Sequence, residues 1–159
     1  MLVVADSSPL IVLINIGHIN ILPDLFGNVI IPPEVAGELA QEKRSQPIRA
    51  FIAAPPDWLT EQAPSTVEAI PMLHSGEASA ISLALEVHAD LLLIDEMLGR
   101  KAATLRGLHI TGTIGVLEQA ANRGFLDLKE AFTGIKNSDF WISPELLDAR
   151  LKLYLDRKK

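Results

Sequence analysis

Leu2-Val3-Val4-Ala5-Asp6-Ser7-Ser8-Pro9-Leu10 is the stretch on which the fold turns. Its apolar run is short, uninterrupted and closed by an acid, the pattern of a strand covered on both faces. Ser7 or Ser8 then predicts a helix cap, with Pro9 in the first turn, where its missing N–H costs little, and a helix through Ile16. The same order of apolar run, acid and helix recurs at Leu91-Leu92-Leu93-Ile94-Asp95-Glu96. Two aspartates therefore stand at the ends of two buried strands.

Working outward, residues 28–31 predict a second strand, broken by Pro32-Pro33 and followed by a helix over Glu34–Glu42. Trp58-Leu59 predicts a short third strand after a proline-rich connection. Gly76–His88 has helical spacing, a helix over Glu96–Leu105 stops at Gly107, residues 108–111 read as a strand, and another helix runs through Ala121. Segments 126–135 and 144–155 read as terminal helices. Parallel strands need crossovers, so the expected architecture is an α/β, three-layer domain with a central, mainly parallel, five-stranded sheet. One domain over 1–159 is expected, with C-terminal helices from about 126.

The chain has 159 residues, 48% of them hydrophobic, enough for one buried core. A net charge of -6 argues against a binder that relies mainly on electrostatic attraction to nucleic acid or membrane. The absence of cysteine excludes a disulfide scaffold, thiolate-bound metal and a cysteine nucleophile, and fits a reducing cytoplasm. No basic leader opens the sequence and no apolar stretch nears the roughly 20 residues of a bilayer span, so neither signal peptide nor membrane helix is expected.

Ligand sites in open parallel sheets lie beyond the carboxyl ends of the strands, where Asp6 and Asp95 are expected. Glu38 follows Glu34 by one helical turn, and Glu77 opens the helix after Gly76, from which it can project into a strand-end crevice. Magnesium or manganese suits four such carboxylates, because these ions prefer oxygen ligands and offset the repulsion among the acids. Solvated caps are the alternative reading of any one of them. Glu34 reads as an outward first-turn charge and Glu96 as a cap or outer acid. The four histidines form no close ligand motif, and no histidine-activated serine is evident.

The order Val4-Ala-Asp-Ser-Ser-Pro-Leu-Ile11, Pro33-Glu-Val-Ala-Gly-Glu38, Gly76-Glu-Ala-Ser-Ala-Ile-Ser-Leu-Ala84, then Leu93-Ile-Asp-Glu96 with Arg100-Lys-Ala-Ala103, resembles a PIN-domain nuclease, and within it the VapC-like branch. The resemblance runs from about residue 1 to Leu117 and on toward the C-terminus. It implies metal ligands or activators at Asp6, Glu38, Glu77 and Asp95, with Ser7 beside the first acid. Thr111-Gly112-Thr113 occupies a region where some relatives carry a further acidic or amide residue, which makes Thr113 a supporting residue and leaves one or two ions open. Hydrolysis of RNA phosphodiester bonds with Mg2+ or Mn2+ follows, as does a toxin with a cognate antitoxin and a homodimer.

Arg100 and Lys101 are expected at RNA phosphates, with Lys43, Arg44 and Arg49 as a second basic strip. The apolar set Ile11, Ile14, Ile16, Ile19, Ile21 and Leu22 suits either a partner groove or two helices packed in the core. Two further functions fit the residues: an RNA-binding PIN-like protein without cleavage, and a receiver-like phosphotransfer module, against which the lack of a lysine near Thr111 counts.

Overall fold

In a computed structural model, which describes residues 1–158, five strands and nine helices alternate among the described residues. The order is β1 (Val3–Ala5), α1 (Ser7–Asn15), α2 (Ile21–Phe26), β2 (Val29–Ile31), α3 (Pro33–Leu39), α4 (Gln46–Ala53) and β3 (Leu59–Glu61). There follow α5 (Ser75–Glu86), β4 (Leu91–Leu93), α6 (Met97–Leu105), β5 (Ile110–Thr111), α7 (Thr113–Asn122), α8 (Leu128–Lys136) and α9 (Pro144–Arg157). The sheet order is β3-β2-β1-β4-β5, and every pairing is parallel. From β1 the chain winds outward to β3, then returns to the other side of β1. The crossovers thus diverge between β1 and β4, opening a crevice beyond their carboxyl ends.

Strand alternation divides the core into two layers. Val3, Ala5, Val29, Ile31 and Leu93 join a cluster with α1, α2, α7 and α8. Val4, Leu92 and Ile94 face the other way, against Ala80, Ile81 and Ala84 of α5 and Ala103 of α6. The run Leu2–Ala5 is wholly apolar because both faces of β1 are covered. The predicted α/β class, five strands and flanking helices all hold.

Local corrections have physical causes. Asp6, not a serine, is the N-cap of α1, and Ser7 is already helical. The helix after β2 ends at Leu39 rather than Glu42, and residues 41–44 turn toward α4. The sequence reading gave bounds to neither α2 nor α4, α2 entering only as the second of two helices packed in the core. The first is six residues long with Pro23 inside it, too short for periodicity to show. The second is eight residues long behind Ser45 and Pro47, with Ile48 buried and Phe51 and Ile52 packed against the core, a single i, i+3, i+4 set too brief to stand out beside the proline-rich stretch that follows. Strand β5 is shorter than expected because Leu108 N–H closes the end of α6 on Ala103 O at 3.1 Å. The isoleucine set resolves as core packing: Ile21 and Leu22 are buried, and Ile11, Ile14, Ile16 and Ile19 pack against them.

A candidate metal centre at the strand ends

Asp6 follows β1 directly, and its N–H donates to Leu93 O across the strand gap at 2.9 Å. Ala5 pairs with Leu93, so Asp95, two residues on, lies beside Asp6 at the crevice. The crossover helices supply the other two acids: Glu38 from the last turn of α3 and Glu77 from the first turn of α5. All four carboxylates line one cleft, together with Ser7, Ser8, Lys43, Arg44, His74 and Glu96.

Three glycines make room for three of the acids. A Cβ on Gly76 would fall 1.7 Å from Glu38 Oε1; on Gly99, 2.9 Å from Glu77 Oε2; on Gly112, 2.7 Å from Asp95 Oδ1. None of the three has the positive φ that glycine alone tolerates well. Their role is close approach: the missing side chain lets a carboxylate lie against the backbone of a neighbouring element.

The hydroxyls beside the acids serve them rather than the helix ends. Ser7 Oγ donates to Glu38 Oε2 at 2.5 Å and Ser8 Oγ to Asp95 Oδ2 at 3.1 Å. Thr113 holds Asp95 twice, through its N–H to Oδ1 and its Oγ1–H to Oδ2, both at 2.7 Å. Thr113 itself is fully buried. The other pair is treated differently. Asp6 and Glu77 are 3% and 7% exposed, and each keeps one oxygen, Oδ1 and Oε2 respectively, buried without a hydrogen-bond partner.

Burial pushes the Asp6 carboxyl up to about 7, against the opposing pull of the Ser7 N–H, and the charges of Glu38, Glu77 and Asp95 push it further the same way. Glu77 is also raised, first by burial and then by Glu96 and Glu38, while the His74 N–H, 3.3 Å from Oε1, pulls it down. A buried carboxylate oxygen without a donor is costly, and a cation or a proton is what satisfies it.

Among the described residues, no group of three or more histidine, aspartate or glutamate side chains stands as it could hold a metal ion. Glu38 and Asp95 are turned to hydroxyl donors instead of converging with the other two. The donor set nonetheless fits a hard divalent cation: four carboxylates, all oxygen, with two buried oxygens unpartnered.

Arg100, expected over the site, donates from Nη1 to Ile94 O at 2.9 Å and lies with Asp95 against Gly112. Neither it nor the exposed Lys101 is among the residues lining the cleft. Arg106, in the same basic strip, is paired with Glu68. The cations at the cleft are Lys43 and Arg44, the latter anchored by Nε to Glu38 O at 3.0 Å. The sequence reading missed Phe140 and Trp141 as cleft residues, because the link between α8 and α9 has no periodic signal to place it.

Acids gathered at the switch point of a five-stranded parallel sheet define an α/β domain with a candidate acidic ligand site. The family profile described as PIN domain matches residues 2–155, and the chain belongs to that family, whose members are generally metal-dependent enzymes acting on nucleic acid. No curated protein and no solved structure matches the chain. No helix among the described residues is long and apolar enough to cross a membrane.

Proposed function

We propose that this PIN domain is a Mg2+- or Mn2+-dependent endoribonuclease and the toxin of a toxin–antitoxin pair. The single observation that carries the reading is the buried pair of unpartnered oxygens on Asp6 and Glu77 in a cleft shared with Glu38 and Asp95. Asp6, Glu38, Glu77 and Asp95 would hold the ion, and Ser7 and Thr113 orient two of these acids. Once bound, such an ion lowers the pKa of a coordinated water and offsets charge developing on the phosphate. Lys43 and Arg44 screen the acidic centre from the substrate's phosphates. Arg100 and Lys101 are assigned to phosphates farther along the strand. A homodimer, a cognate antitoxin covering the cleft and a cytoplasmic setting complete the proposal.

The test is scission of a diverse RNA pool by the purified chain with Mg2+, Mn2+ or EDTA, alongside Asp95→Asn with its fold checked by circular dichroism. Divalent-dependent scission lost in the variant supports the assignment. Crosslinking to RNA without scission favours the cleavage-inactive RNA-binding reading, and a Mg2+-dependent acyl-phosphate on an aspartate favours the receiver.

A further inference from the structure

Of the two tryptophans in the chain, one is packed and one is not. Trp58 lies against Phe51, ring centroids 6.0 Å apart, whereas Trp141 is 87% exposed. An isolated exposed aromatic needs no explanation by itself. Trp141 differs because it lines the same cleft as the four acids, together with Lys43 and Arg44. Its backbone is anchored as well. Phe140 packs against the core and donates its N–H to Ser138 Oγ at 3.2 Å, and that hydroxyl donates to Ile135 O at the end of α8 at 2.7 Å. The largely exposed indole is therefore displayed at the cleft beside a tethered turn.

We propose that Trp141 stacks on an unpaired nucleobase next to the scissile linkage, while Lys43 and Arg44 meet the flanking phosphates. The proposal rests on the nuclease reading and adds to it a residue that selects its substrate. Every base offers a π-face, so stacking tolerates any sequence but rejects bases locked in a duplex. The cleft thereby discriminates by strandedness at this position and only weakly by base identity.

The test uses the full chain in EDTA, where binding is measured without turnover, with an oligouridylate of about ten nucleotides, a copy abasic along its length, and a matching duplex. Trp141→Ala is expected to weaken oligouridylate binding about tenfold, or about 1.4 kcal/mol, and Trp141→Phe to retain most of it. The abasic probe should bind the wild type about as weakly as oligouridylate binds Trp141→Ala, and the alanine change should not weaken it further. Oligouridylate should quench the fluorescence of a Trp58→Phe variant, in which Trp141 alone reports. Equal affinity of wild type and Trp141→Ala for oligouridylate overturns the proposal, as does an equal loss with the abasic probe or no binding by the wild type. Scission of the same oligonucleotide with Mn2+ is scored separately. Scission with no effect of Trp141→Ala sinks stacking alone, and base-dependent binding without scission sinks the nuclease reading while retaining the contact.

Discussion

The cleft has two kinds of acid. Glu38 and Asp95 are held by the hydroxyls of Ser7, Ser8 and Thr113, whereas Asp6 and Glu77 are more deeply buried and each keeps an unpartnered oxygen. The difference follows from position. Asp6 directly caps the most central strand, and Glu77 lies in a first helical turn packed against Gly99, so neither meets a side-chain donor. One pair is positioned in advance and the other stores an unmet need for positive charge.

The largest effect should come from the second pair. Glu77→Gln is expected to lower RNA cleavage by about a hundredfold or more, since ion-assisted charge stabilisation is worth several kcal/mol and each 1.4 kcal/mol is about tenfold. Steady-state rates on a fixed RNA at saturating Mn2+ measure it, and turnover within a few-fold of wild type would remove Glu77 from the ligand set.

The second expectation concerns stability without divalent ions. Asp6 titrates near 7 in the fold against an ordinary 3.8, so both states hold the proton below about 4. As pH rises toward 7 the unfolded chain ionises while the fold retains the proton, and stability falls through this window. The loss should be on the order of a few kcal/mol by pH 8. Denaturant melts in EDTA at pH 5 and pH 8 should show it in wild type, while Asp6→Asn shows much less of it. An identical pH response in the two proteins would contradict the account of Asp6.

Much of this arrangement was legible in the sequence because it repeats a rule: an apolar run closed by an acid marks a strand end. Asp6 and Asp95 were found that way, with β1 and β4, while the other three strands were read from short apolar runs beside prolines and glycines. Contacts between distant segments were not legible. That Gly76 yields space to Glu38, or Gly112 to Asp95, depends on how helices pack rather than on local pattern. Ser7 and Ser8 looked like helix caps because a serine before a helix ordinarily is one. Trp141 was passed over for the opposite reason: a link without periodicity predicts nothing about which surface it meets.

The glycines sharpen the comparison from the positioned side. Gly76→Ala must move the Glu38 carboxylate, the flexible end of a side chain, so the fold should persist while cleavage drops about 10- to 100-fold. Wild-type turnover would show that Glu38 need not approach so closely. Thr113→Val removes one donor to Asp95 and leaves the backbone N–H bond, and should cost about tenfold in Mn2+ affinity. Calorimetry decides it, with unchanged affinity excluding an orienting role.

The smallest effect separates the two basic groups. Arg44→Ala should reduce the salt dependence of RNA binding by roughly one unit of log–log slope. Arg100→Ala should change it less, since Arg44 lines the cleft and Arg100 does not. The reverse order would move the phosphate path from the turn after α3 to α6.

The most direct measurement is Mn2+ binding to wild type and Asp6→Asn by calorimetry at pH 6 in two buffers of different ionisation enthalpy. The account predicts binding to wild type with release of a proton, because Asp6 is largely protonated there, and a loss of both affinity and proton release in the variant. Equal affinity and equal proton release in the two proteins would contradict the claim that Asp6 holds the ion.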